Sequence, residues 1–433
     1  MLTPRRALLR GLPVALALLP LVFLVYIAIR LSVDVPFWDE WEFVPRLQKL
    51  YAGTIGLDDV WRQHNEHRPM FPLIWMLALA RLTRWNTHYN VATTLTCGVG
   101  IFLVFGRFVQ RGWRTEGGAP LWLLPLASMF IFSPFQWENW LWGWQITALM
   151  GTLAAIAGLY LLSTETIPSG WRFAAALACG IWSTYSFASG LVYWVAGPVA
   201  IVILGGRSMA IRLLGWVAIG GLTLASYFYD YHAPGNVPVV PLVQKLGMLV
   251  LYSLKYIGAP AAAYSGVLAA LAGAAAIAAF GFLAFRLWGR RRDAAFLFPF
   301  VLGVQTLGVA MASAIGRASF GSNQALASRY GTISGLMWCA LAALAVLWLR
   351  TGAAPRWRPA VVVASILVLA STLHNGSEAL ALAAARSHNL EIGRRGLIGG
   401  HSDALLLLLY PDLSTIKERR VILQKLGTSV FRP

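Results

Sequence analysis

Long apolar runs alternate with short basic clusters along this chain, and that alternation predicts the elements. The first segment, "MLTPRRALLRGLPVALALLPLVFLVYIAIRLSV", opens with basic residues and continues apolar for roughly 20 residues, enough to span a bilayer. It is long for the apolar core of a signal peptide, and no small-x-small site follows. It therefore reads as a retained first span with its N-terminus in the cytoplasm. Arg5, Arg6 and Arg10 precede it, and further clusters follow at Arg107/Arg111/Arg114, Arg172, Arg207/Arg212, Arg290–Arg292 and Arg350/Arg356/Arg358. If every cluster is cytoplasmic, the spans between clusters come in pairs. They do: 89–109 runs inward, 120–137 outward and 146–163 inward, then 172–187 and 189–204 form a short pair and 209–231 leaves. After a loop, 262–286 returns, 295–316 leaves, 330–349 returns and 359–376 leaves. The expectation is an all-α polytopic membrane protein with about eleven spans, the C-terminus outside. The pair within 172–204 is near the short end for spanning, and a re-entrant pair would leave every cluster on the same side.

This arrangement divides the chain into a transmembrane domain, 1–376, and a small extracytoplasmic tail, 377–433. Residues 34–88 become a long outer loop. Within it "RPMFPLIWMLALARLTRW" is apolar for only about a dozen residues between Pro72 and Arg84, too short to cross. It predicts an interfacial helix anchored by Trp75 and Trp85. In the tail, "LLLLLY" (405–410) is again too short, and "DLSTIKERRVILQKLG" has helical periodicity.

Composition excludes the soluble alternatives. Of 433 residues 58% are hydrophobic and 12% charged, with mean hydropathy +0.64, more apolar surface than a soluble domain hides. The net charge of +18 would suggest nucleic acid in a soluble chain, but cytoplasmic Arg and anionic headgroups explain it here. No continuous basic–aromatic patch points to nucleic acid. Cys97, Cys179 and Cys339 fall in apolar runs, so no disulfide framework is expected.

Four polar groupings are not explained by topology. "VPFWDEWEFVP" places Asp39 and Glu40 between Trp38 and Trp41 where the first span leaves the membrane. An interfacial cap is one reading; a working pair of carboxylates is the other. "QHNEHRP" clusters His64, Glu66, His67 and Arg68. It reads as a solvated turn, as a divalent-metal site with His64 and His67 three apart, or as an anion site led by the planar fork of Arg68. "RASFGSNQALASRYGTISG" sets Arg317, Arg329 and Tyr330 on the side where positive charge is not expected. Snorkelling is the bland account, and an anionic lipid phosphate would explain all of them together. "FSPFQWENWLWGWQ" holds Glu138, Asn139 and Gln145 among four Trp, either an aromatic belt or a surface for sugar. There is no Gly-rich phosphate loop, Ser-His-Asp signature or Cys-pair metal motif.

The acidic pair after the first span, the "HRPMFPLIW" that opens an interfacial helix and the "SRYGTIS" that opens a late span together resemble the GT-C superfamily of integral-membrane glycosyltransferases. The similarity is to the branch of aminoarabinose transferases and protein O-mannosyltransferases. The resemblance implies a polyprenyl-phosphate-linked sugar donor, an inverting transfer at the outer face of the cell (inner or plasma) membrane, and membrane lipids as surroundings. It implies Asp39 as catalytic base, Glu40 as the second acid, and Arg68, Arg329 and Tyr330, with Arg317, near the donor phosphate. Trp38, Glu138, Asn139 and Gln145 are the candidates for sugar or acceptor, and a divalent metal would fall to His64, Glu66 and His67. Where that branch has Lys-Pro-Pro this chain has Arg-Pro-Met, and its outer C-terminal part is short, which points to a glycan or lipid acceptor rather than a protein. A transporter or flippase of a lipid-linked sugar is the alternative, but it should carry ionisable groups at mid-bilayer, where these spans have almost none.

Overall fold

The computed structural model describes residues 4–113, 116, 118–164, 169–232, 241–352, 357–400 and 402–433. Arg114 and Arg356 lie outside the described residues. The described chain is helical throughout, without a β-sheet. In order the helices are α1 (Pro4–Leu31), α2 (Val44–Ala52), α3 (Leu57–Trp61), α4 (Met70–Thr83), α5 (Thr87–Arg111) and α6 (Leu123–Ile131). Next come α7 (Trp137–Leu141), α8 (Ile146–Ser163), α9 (Gly170–Thr184), α10 (Tyr193–Leu204), α11 (Met209–Phe228) and α12 (Leu242–Ala262). The last six are α13 (Gly266–Arg286), α14 (Ala294–Arg317), α15 (Gly331–Arg350), α16 (Arg358–Gly399), α17 (Asp403–Leu406) and α18 (Leu413–Leu426).

Among the described residues, 8 helical segments are long and apolar enough to cross a membrane: those of α1, α5, α8, α11, α13, α14, α15 and α16. The other three expected crossings are shorter, with 9 residues in α6, 15 in α9 and 12 in α10. The run 120–137 stops at Ile131 because Ser133 and Pro134 follow. The Ser133 hydroxyl accepts the Phe135 N–H at 3.3 Å, and proline offers no N–H to continue a helix. The chain restarts as a tight turn and then α7.

Residues 242–262, expected within a loop, form the 21-residue helix α12. Lys245 and Lys255 interrupt its apolar pattern, but the Lys255 ammonium is met by Ser322 Oγ at 2.8 Å and Asn323 Oδ1 at 2.7 Å. Helix α12 runs antiparallel to α13 with the two backbones nearly touching. A Cβ on Gly258 would lie 1.8 Å from the Ala269 carbonyl oxygen, and one on Gly273 1.9 Å from that of Leu254. Only glycine fits there, which is how small residues bring membrane helices together.

Basic loops collect at one end of the bundle. Arg290 pairs with Glu116, Arg350 Nη1 donates to the Glu116 and Gly118 carbonyls at 2.8 Å, and Arg292 Nε reaches the Ile203 carbonyl at 3.2 Å. Arg290 and Arg350, from two of the expected cytoplasmic clusters, thus meet at Glu116.

At the opposite end, α2, α3 and α4 pack with α17, α18 and the far half of α16 around a second apolar core that includes Trp41, Phe43, Leu47, Leu73, Leu397 and Ile416. Helix α18 forms as its sequence demands. The Asp412 carboxylate caps it by accepting the N–H groups of Ser414 (3.1 Å) and Thr415 (3.3 Å). Ile416 and Leu423, seven apart, are buried on one face. Helix α16 has 42 residues, about 63 Å at 1.5 Å per residue and twice the ~30 Å hydrocarbon thickness. It carries the chain out of the bundle and up to this assembly, so the division expected at 376/377 falls inside one helix.

The tail is strapped to the outer loop by polar contacts as well. Glu42 takes Arg419 Nη1 at 2.8 Å, Arg419 Nη2 at 3.1 Å and the Tyr410 hydroxyl at 3.0 Å. Arg432 pairs with Asp34, and the Trp38 N–H donates to the Leu409 carbonyl at 3.0 Å. Helix α4 forms where an interfacial helix was expected. Trp75 is exposed as an anchor should be, but Trp85 is buried in the outer core, 5.6 Å from the Phe43 ring.

Candidate functional site

A cavity of about 510 Å³ lies between the loop 34–88 and the adjoining helix ends. Its polar lining is made by Trp38, Asp39, His64, Asn65, Glu66 and His67 of the loop, Gln145 at the head of α8, Arg317 at the end of α14, and Arg329 and Tyr330 just before α15. Its other wall is apolar, with Leu191, Phe228, Val309, Ala312, Ile315 and Ile333. Nine of the thirteen residues singled out in the sequence thus share one space, although they come from segments far apart in the chain.

Asp39 stands on a 3₁₀ turn, Trp38–Phe43. Such a turn has three residues per revolution, so neighbours point about 120° apart. With Asp39 facing the cavity, 3.8 Å from His64 Nε2, Glu40 must face inward. It is buried, and its carboxylate accepts the Phe37 N–H at 3.0 Å. A Cβ at position 143 would lie 2.7 Å from Glu40 Oε1, so glycine there leaves the carboxylate its room. Trp38 and Asn65 have φ of 47° and 50°, a conformation uncommon for bulky side chains that clusters at functional sites. The Leu409 contact helps hold Trp38 in it.

Burial pushes the Glu40 carboxyl up to about 8, against the opposing pull of the Phe37 N–H and Arg386. Glu40 thus sits behind Asp39, outside the cavity lining, and holds its proton to higher pH than an ordinary glutamate. A carboxyl whose pKa is raised on folding makes folding less favourable as pH climbs from its ordinary value near 4.5 to about 8. Glu40→Gln is expected to remove that dependence. Its apparent unfolding temperature, followed between pH 5 and 8, should fall less than that of the parent protein and exceed it at pH 8.

Arg68 does not line the cavity. Its guanidinium is buried among carbonyls, with Nε on Tyr227 at 2.7 Å, Nη1 on Trp61 at 3.2 Å, and Nη2 on Asp230 at 3.2 Å and on Tyr229. It ties the loop to the end of α11, leaving its fork already engaged. Glu138 and Asn139 also lie outside the lining. Glu138 accepts from the Arg329 backbone at 3.1 Å, Arg329 Nη1 at 3.2 Å and Ser328 Oγ at 2.6 Å. Asn139 donates to Thr332 Oγ1 at 2.9 Å. Both fix the turn that presents Arg329 rather than offering themselves to a sugar.

The expected metal set does not come together either. His67 Nδ1 accepts the Ala188 N–H at 3.2 Å, its ring stacks on Phe187 at 3.9 Å, and Glu66 is engaged by Arg317. Among the described residues no group of three or more His, Cys, Asp or Glu is arranged to hold a metal ion. Burial pulls His67 down to about 4, so it is neutral. Burial pushes Glu66 up, but at the acid end of the scale, where His67 takes up its proton, His67 and Arg317 together outweigh it and hold the carboxyl below its ordinary value.

Trp142, Trp144, Phe187 and Tyr256 add aromatic faces to the lining. Trp142 and Trp144 belong to the Trp-rich stretch 132–145 singled out in the sequence, whereas Phe187 and Tyr256 had no signal beyond being aromatic in an aromatic-rich chain. The His64 ring lies 4.8 Å from that of Trp144. Chemically the space offers one carboxylate able to take a proton, two guanidinium groups for an anion, aromatic faces and an apolar wall. No family model, curated protein or solved structure matches the chain.

Proposed function

We propose that this protein is an inverting glycosyltransferase of the GT-C kind, moving a sugar from a polyprenyl-phosphate donor to a glycan or lipid acceptor. In this reading α6, α9 and α10 complete eleven crossings, the Arg-rich end is cytoplasmic, and the cavity opens on the extracytoplasmic side. The observation that carries it is the meeting of Asp39, Arg317, Arg329 and Tyr330 in one cavity, at the end opposite the basic loops, with an apolar wall beside them.

Each group has work to do in that reaction. The acceptor hydroxyl attacks the anomeric carbon from the face opposite the phosphate and gives its proton to Asp39. The bond from that carbon to the phosphate oxygen breaks, and its electron pair leaves with the polyprenyl phosphate. Arg317 and Arg329 stabilise the charge that grows there. Tyr330 packs beneath Arg329, whose Cζ lies 5.4 Å from the ring centroid. The apolar wall suits the first isoprene units.

The test is donor turnover by the full chain in lipid nanodiscs, offered polyprenyl-phosphate-linked hexoses and pentoses one at a time. Release of free polyprenyl phosphate from at least one donor is the expected result. Failure of the protein either to bind polyprenyl phosphate or to consume any of the donors would remove the reading.

A further inference from the structure

We propose that Glu66 occupies the donor phosphate's place on Arg317 when the cavity is empty, and that the phosphate must displace it to bind. This rests on the glycosyl-donor reading above and concerns how that site is held before the donor arrives.

The two cavity arginines are each paired with a carboxylate, but in different ways. Arg317 directs Nε, at 2.9 Å, and Nη2 onto Glu66 Oε1. That pair of N–H groups forms a forked edge that suits a phosphate oxygen pair. Both partners line the cavity, so the carboxylate stands in the cavity itself. Arg329 is different. Its partner Glu138 is outside the lining and also binds the Arg329 backbone and Ser328. Glu138 supports its arginine from behind.

Glu66 is also built to move. Its backbone is pinned, because the Tyr227 hydroxyl donates to the Glu66 carbonyl at 2.7 Å. No side chain other than Arg317 hydrogen-bonds its carboxylate among the described contacts; the remaining bond comes from its own backbone N–H and travels with the residue. A side chain can thus swing away without the loop unfolding. The arrangement keeps Arg317 neutralised and aimed until the donor's phosphodiester, singly charged like the carboxylate, takes its place; the charge that then grows on the leaving phosphate as the sugar departs exceeds the carboxylate's. It also discriminates against weak anions, since any occupant must outcompete a carboxylate already in contact.

The sign of one substitution separates this role from a structural one. Loss of a merely structural ion pair weakens binding. Loss of a competitor strengthens it, because one negative charge leaves the space a phosphate enters. Affinity for sugar-free decaprenyl phosphate would be measured on the full chain in nanodiscs, by native mass spectrometry or thermophoresis. Glu66→Gln is expected to bind on the order of tenfold more tightly than the parent. Glu66→Asp keeps the charge but draws it back by one methylene, so its affinity should fall between the two. Glu138→Gln should bind more weakly than the parent, because it loosens Arg329. If the parent binds decaprenyl phosphate and both Glu66 variants bind it equally or less well, the displacement idea is wrong and the donor reading stands. If the parent does not bind it at all, the donor reading fails first and this one with it.

Discussion

Asp39→Asn should reduce sugar transfer by about 10²–10⁴-fold, the usual worth of a general base, while polyprenyl phosphate still binds. The amide keeps the size of the carboxylate and its contact with the His64 side, but it cannot accept the proton that the acceptor hydroxyl must lose. The arginines that would hold the donor are untouched. Single-turnover kinetics with bound donor would separate the two steps: normal binding, then a slow chemical step. Transfer at the parental rate would dismiss Asp39 as the base. Because Glu40 faces away and Glu66 is engaged by Arg317, no other carboxylate of the lining is as well placed to replace it.

Arg329→Ala should weaken donor binding by about 10²-fold, with Lys at the same position recovering part of it. A charge-assisted contact to phosphate is among the stronger hydrogen bonds a protein makes. Its removal would also leave Glu138, half-enclosed beneath it, without its cation. Lysine restores the charge but not the planar fork. Decaprenyl phosphate affinity of the purified variants reads the effect directly, and unchanged affinity in the alanine variant would remove Arg329 from the phosphate site. Arg68→Ala serves as the contrast. Its hydrogen bonds are all to backbone carbonyls and its guanidinium lies over the Trp61 ring, so its loss should lower thermal stability rather than act through the phosphate.

The sequence made the helical membrane character plain, because hydropathy and the placement of arginine act residue by residue. The grouping of Asp39, His64, Glu66, Arg317, Arg329 and Tyr330 was legible for a related reason: polar side chains are costly at membrane depth and stand out against an apolar background. What each one touches was not legible. Arg68 and Arg317 look alike in sequence, and only the fold reveals that one is buried among carbonyls and the other faces the cavity. Asp39 and Glu40 differ only by which way a tight turn points them. Helix α12 was hidden because its lysines lower the apolar signal, and the Lys255 ammonium is met by Ser322 and Asn323, more than sixty residues later. The strap of the tail over the loop was invisible for the same reason, since periodicity reports a helix's own faces and not its partner.

That strap also fixes when the cavity can exist. Glu42 and Arg419 are 377 positions apart, and Asp34 and Arg432 are 398 apart. At a synthesis rate of about 5–20 residues per second, the outer loop waits roughly 20–75 s between its own emergence and the arrival of Arg419. During that interval Trp38 lacks the Leu409 carbonyl and the outer core lacks Ile416 and Leu423. Asp39 would therefore be among the last residues of the molecule to be held in place, and a nascent chain already threaded through the bilayer would carry an unfinished cavity until its final residues arrive.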